Sequence, residues 1–105
     1  MYKIKALKLT NSRDKALGKI KYRKENIFFQ TRFGIHTFGI KEPIDIFVLD
    51  NKLNVVKIKK ELKPQRFFFW NIKYNNILEI NSDIKENLKI GDTIHLIPTD
   101  WISVN

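Results

Sequence analysis

Six consecutive residues, Ile44-Asp45-Ile46-Phe47-Val48-Leu49, carry five large apolar side chains and one carboxylate. Side chains alternate across a strand, so Ile44, Ile46 and Val48 share one face while Phe47 and Leu49 share the other. Such a segment has no wet side. It belongs in the middle of a sheet covered on both faces, and the rest of the chain has to supply the cover. Pro43 biases Glu42 toward extended geometry just before it. Asp50-Asn51-Lys52 offers turn chemistry just after it, so Leu53 to Ile58 is expected to return as the second arm of a hairpin.

The flanking segments are read in the same way. Tyr2 to Leu9 alternates apolar and basic residues, with Ile4 and Ala6 inward and Lys3 and Lys5 in water. The alternation slips at Ala6-Leu7, which predicts a bulge or the strand end there. Asn11 or Ser12 is placed to cap a helical turn over Arg13 to Leu17, closed by Gly18. Ile20 to Phe29 reads as extended, Gly34 to Pro43 as irregular, and Lys59 to Gln65 as a charged loop. A short strand is expected over Ile77 to Ile80. Ser82 then caps a turn reaching Asn87, and Gly91-Asp92 leads into a closing strand from Thr93 to Ile97, before Pro98. Strands recur every 8–12 residues or so and no helical period outlasts about two turns. The chain is therefore expected to be all-β with one or two short helices, a compact β-sandwich, jelly-roll-like or barrel-like single domain over residues 1–105.

Charge and composition narrow the function classes. The net charge is +9, and residues 1–24 hold nine Lys/Arg against one acid, Asp14. That cluster nominates Lys3, Lys5, Lys8, Lys19 and Lys21 as contacts to a phosphate backbone, with a solvated lysine-rich face as the plain alternative. The chain has no cysteine, which excludes disulfides and thiolate chemistry. No apolar run approaches the ~20 residues of a membrane span, and the N-terminal segment lacks the apolar stretch of a signal peptide. A soluble, cytoplasmic protein with no membrane partner is expected.

Two polar residues stand out inside the central stretch. Asp45 interrupts an apolar strand, so it must find donors or a cation. It is either a ligand or acid/base group, or a structural tie to the amides of the Ile35–Gly39 loop or to Arg13. His36 beside Thr37 is either an acid/base or ligand-binding histidine, or a brace for its own loop. With no His-x-x-His, HExxH or cysteine pair, neither a metal nor another cofactor is expected. In Arg66-Phe67-Phe68-Phe69-Trp70 the aromatic run is core, or a stacking platform for sugars or bases; alternation lets at most two rings be exposed together. No Gly-rich phosphate loop, GxSxG motif or paired catalytic carboxylates occur, so an enzyme is not supported.

Taken in order, IHTFG, PIDIFVLD, the returning NVVKI, ILEI and GDTI resemble the domain-of-unknown-function 192 family, also called uncharacterised protein family 0127, a family of bacterial type. Arg13 with Leu17-Gly18 upstream, and Pro64 with Arg66 downstream, fall where members carry matching pairs. The chain departs from the pattern at Ile40-Lys41-Glu42, at Gln65 and at Asn81-Ser82-Asp83. The resemblance spans nearly the whole chain and implies a compact β-sandwich or jelly-roll-like fold with no established activity.

The reading that follows is a small non-enzymatic binding domain with its site at the His36 loop. His36, Thr37, Asp45, Arg66 and Arg13 are its candidate residues, and a polar small molecule, saccharide or protein segment its partner. Because a hairpin returns the chain to the end where it entered, His36, Thr37 and Arg66 are expected in one concave patch, with Arg66 offering its planar donors to an anion. Nucleic-acid binding through the N-terminal lysines is the alternative, and a hydrolase built on His36 and Asp45 a minor one.

Overall fold

Ile44–Leu49 is buried at every residue. Its neighbours in the core divide as alternation requires: Ile44, Ile46 and Val48 join one apolar cluster with Phe29, Leu62 and Trp70, while Phe47 and Leu49 join another with Phe28, Val55 and Leu78. The computed structural model describes residues 2–10, 18–20, 22–32, 34–84 and 86–99. The expected helical turn over Arg13 to Leu17 lies outside the described residues.

The strands in chain order are β1 (Tyr2–Lys8), β2 (Ile27–Gln30), β3 (Ile35–His36), β4 (Ile44–Leu49), β5 (Val55–Leu62), β6 (Phe67–Phe68), β7 (Asn76–Asn81) and β8 (Ile94–Thr99). Six of them form one sheet in the order β5-β4-β7-β2-β1-β8, and β3 pairs with β6 in a separate two-stranded ribbon. Pairing is antiparallel from β5 through β2, but β1 runs parallel to both β2 and β8. The two edges then meet at one end: Asn54 bridges Thr93, the Ile94 N–H donates to the Leu53 carbonyl at 2.9 Å, and the Val55 N–H donates to the Asp92 carbonyl at 2.8 Å. Of the expected architectures it is the barrel-like one that forms, a curled half-barrel, because the twist of one sheet brings its own edges together. No helix among the described residues is long and apolar enough to cross a membrane.

Several local expectations change. At Ala6-Leu7 there is neither a bulge nor a strand end, since β1 pairs with β8 without a break from Tyr2 to Leu7. The alternation slips because Leu7 and Leu9 are covered by the first cluster, whereas Ile4 and Ala6 pack in the second. Among the described residues of the expected extended segment only Ile27 to Phe29 is strand, within β2; residues 18–20 are helical and the Tyr22 N–H donates to the Gly18 carbonyl at 3.0 Å. The expected loop from Lys59 belongs to β5 as far as Leu62, because an edge strand can carry lysines on its open side. Pro98 lies within β8 rather than after it, which an edge strand tolerates. Ser82 starts a single 3₁₀ turn, Ser82–Ile84, and its hydroxyl donates to Asp45 instead of accepting from helix amides.

The hairpin turn between β4 and β5 is held by Asp50. Its carboxylate accepts from the Lys52 and Asn54 N–H groups, each at 2.9 Å, and from the Asn54 side-chain amide at 3.1 Å. These bonds, that of the Asn54 N–H foremost, hold the Asp50 carboxyl below its ordinary value. Leu53 takes the left-handed conformation, φ 64°, that lets the chain turn back.

Candidate ligand-binding cavity

The polar centre of the molecule is Glu79, in the middle of β7 and only 4% exposed. Ile27 of β2 and Ile46 of β4 flank it in register, and both are fully buried. A carboxylate between two isoleucines loses its hydration, and this burial pushes the Glu79 carboxyl up to about 7, against the pull of Lys19. Lys19, 2% exposed, is lowered by burial to about 8, with Glu79 its main electrostatic support. A buried ammonium needs acceptors as well as a counter-charge. Lys19 Nζ donates to the Glu25 carbonyl and, at 3.5 Å, to that of Arg23, so the chain after the helical turn wraps around it. That wrapping is why residues 22–26 are not extended.

Glu79 and Lys19 line a cavity of about 220 Å³ whose other walls include Phe29, Ile35, His36 and Ile40. His36 sits at its mouth on β3. The His36 Nδ1 accepts from the Phe38 N–H at 3.3 Å, so the histidine braces its own loop, and a neutral ring carries its proton on Nε2. Gly34, also in the wall, has φ 88°, and a Cβ there would lie 2.5 Å from Phe69 Cδ1 and 2.8 Å from the Phe68 carbonyl oxygen. Only glycine allows β3 to approach β6 so closely.

The predicted residues separate into groups. His36 lines the cavity. Thr37 is fully buried and pinned to Arg66: the Thr37 N–H donates to the Arg66 carbonyl at 2.8 Å, and the Arg66 N–H donates to Thr37 Oγ1 at 2.8 Å. The two loops therefore meet, as the hairpin argument required, through the pairing of His36 with Phe67. Yet Thr37 and Arg66 do not join His36 in the cavity wall, and the Arg66 guanidinium donates to Pro64 and Gln65 carbonyls of its own loop. Arg13 lies outside the described residues.

Asp45 is on the other side of the sheet. The pairing of Ile46 with Glu79 and of Asp45 with Ile80 sets Asp45 and Glu79 on opposite faces. Its carboxylate accepts from the Glu61 N–H at 2.9 Å, from Ser82 Oγ at 2.7 Å and from Lys60 Nζ at 3.2 Å. The tie expected to the Ile35–Gly39 loop is thus a tie to the end of β5. There the register shifts between Ile44 and Ile46, so that Lys60 and Glu61 together face Asp45, and Glu61 adopts φ 52°. With the sheet between them, His36 and Asp45 form no catalytic pair.

Of the lysines nominated for phosphate contact, Lys3, Lys5 and Lys8 are exposed, Lys21 lies outside the described residues, and Lys19 is the buried partner of Glu79. Among the described residues no group of three or more His, Asp or Glu is arranged to hold a metal ion. Glu79 is the residue that sequence reasoning missed. Like Asp45, Glu79 is a lone charge inside an apolar strand, Ile77-Leu78-Glu79-Ile80, and needs donors or a cation for the same reason.

No protein-family model matches the chain, and no curated protein matches it significantly. Among solved structures it is similar to the crystal structure, at 1.22 Å resolution, of a protein of unknown function from Novosphingobium aromaticivorans DSM 12444. The TM-score is 0.70 and the identity 18%, over 82% of this chain and 70% of that one. At that identity the likeness is one of fold.

Proposed function

We propose that the chain is a small non-enzymatic ligand-binding β domain of the domain-of-unknown-function 192 type, with its site in the cavity beside His36. The observation that carries the reading is the pair of buried ionisable groups, Glu79 and Lys19, facing one water-accessible space with apolar walls. Ligand sites combine a mostly apolar lining with a few convergent polar groups, and perturbed titration marks such groups. At about 220 Å³ the space is smaller than the roughly 300–1,000 Å³ of drug-sized sites, which suits a body the size of a monosaccharide. Such a ligand offers a hydroxyl or amine to Glu79, accepts from Lys19, and lays an apolar edge on Phe29 and Ile40. The order of motifs from IHTFG to GDTI supports the family assignment.

The test is a titration of monosaccharides and small polyols into ¹⁵N-labelled protein. Amide shifts concentrated at Gly34, Ile35, His36 and Glu79, and lost in Glu79→Gln, are expected. Shifts elsewhere, or none at saturating additions, would remove the reading.

A further inference from the structure

The ribbon of β3 and β6 turns aromatic rings outward beside the cavity mouth. Phe38, Phe67 and Phe69 are 42%, 61% and 62% exposed. Phe38 meets Phe67 edge-on with ring centres 5.1 Å apart, and Phe67 lies nearly parallel to Phe69, at 10° and 6.1 Å. His36 extends the row, 5.4 Å from Phe38. Scattered exposed apolar residues need no explanation, whereas a contiguous row of rings does. The row is also held in place, since Phe69 packs on Gly34 and the Thr37–Arg66 bonds fix the strands that carry it.

The segments that carry these rings are basic, although Glu79 shares the cavity wall with Phe38. Residues 26–41 and 62–78, which build the ribbon and its flanks, contain Arg32, Lys41, Lys63, Arg66 and Lys73 and no acidic residue. Arg32 Nη1 donates to the Ile72 carbonyl at 3.3 Å, Lys57 Nζ donates to the Phe69 carbonyl at 3.4 Å and stands 5.2 Å from the Phe68 ring centre, and Arg66 is exposed in the turn that leads into β6. A second copy of this surface would set like charges against each other, and a neutral sugar lacks the negative charge that these cations complement.

We propose that this ribbon is a binding surface for single-stranded nucleic acid, with bases stacked on Phe38, Phe67 and Phe69 and the strand's phosphates drawn to Arg32, Lys57 and Arg66. Aromatic faces accept any base, and a duplex keeps its base faces stacked internally, so the preference is for single strands without marked sequence choice. The basic N-terminal strand is a separate surface and is not required.

Fluorescence anisotropy with a short labelled oligothymidylate tests this. Binding at low salt, weakening linearly in log–log terms as salt rises, is expected. Phe67→Ala should weaken it by about 5- to 100-fold and Phe67→Ala with Phe69→Ala by more, and Phe67→Leu, which keeps apolar area without a ring, should weaken it too. Both side chains are mostly in water, so circular dichroism should show the fold retained. Arg66→Ala should reduce the salt slope by about one, while Lys3→Ala with Lys5→Ala leaves the ring contribution intact. No binding at low salt, equal affinity for a duplex of the same length, or unchanged affinity in the folded phenylalanine variants would each overturn the proposal. So would a dimer in sedimentation that the phenylalanine substitutions dissolve, because the rings would then serve a second copy. Phe38 belongs to both the row and the cavity wall, but neither Phe67 nor Phe69 lines the cavity, so the Phe67 and Phe69 variants separate this outcome from small-molecule binding.

Discussion

Thr37 and Arg66 grip each other through main chain and side chain together, each N–H donating to an oxygen of the other at 2.8 Å. The same Thr37 hydroxyl donates onward to the Lys63 carbonyl at 2.7 Å, so one buried side chain ties both ends of the turn that leads into β6. Thr37→Val keeps the shape and removes the hydroxyl, leaving the Arg66 N–H unpaired. A loss of about 1–3 kcal/mol in urea unfolding is expected, with Thr37→Ser retaining most of the stability. Wild-type stability in Thr37→Val would show that water replaces the hydroxyl.

Asp45 fixes the bulge at the end of β5. Asp45→Ala strands the Glu61 N–H and the Ser82 hydroxyl, while half-exposed Lys60 returns to water. The expected cost is about 1–3 kcal/mol. Amide hydrogen exchange should rise at Glu61 and Ser82 and stay unchanged around His36 on the opposite face. Faster exchange at the His36 loop instead would contradict the assignment of faces.

Glu79 gives the molecule a pH signature of unusual sign. Its carboxyl is raised from 4.5 to about 7 on folding, so between those values the native state holds a proton that the unfolded chain has released. Stability contributed by this group is complete below 4.5 and is lost as pH rises through 7. Lys19 acts in reverse: lowered from 10.5 to about 8, it makes stability climb again between 8 and 10.5. Relative to Glu79→Gln, the wild-type protein should lose on the order of a few kcal/mol between pH 4.5 and 7. Asp50, held below 3.8, acts only on the acid side of that window, its stabilisation falling away as pH drops. A flat difference between wild type and Glu79→Gln across pH 4.5–7 would mean that the carboxyl is hydrated.

Gly34 sets how closely β3 approaches β6. Alanine there has to adopt φ 88° and push against a backbone oxygen, the Phe68 carbonyl, as well as the Phe69 ring. Gly34→Ala should cost about 2 kcal/mol or more and release Phe69 from its seat. The Phe69 ring resonances report the second effect, and unperturbed shifts would argue against close packing.

The sequence by itself determined which residues share a strand face. Ile44, Ile46 and Val48 against Phe47 and Leu49, and Phe67 with Phe69 against Phe68 with Trp70, follow from a period of two wherever no bulge interrupts it; which pair of rings is buried does not. The Asp50 turn was legible for the same reason, because its bonds close within four residues. What only the tertiary structure decided was which strands became neighbours and in what register. The pairing of Ile46 with Glu79 puts the two strand carboxylates on opposite faces, sending Asp45 to the β5 bulge and Glu79 to the cavity. Lys19 reads as one more exposed lysine until the chain around it folds back and closes the water out. These outcomes rest on contacts between residues dozens of positions apart, whose free energy comes from jointly excluding water, and no local pattern of residues encodes that exclusion.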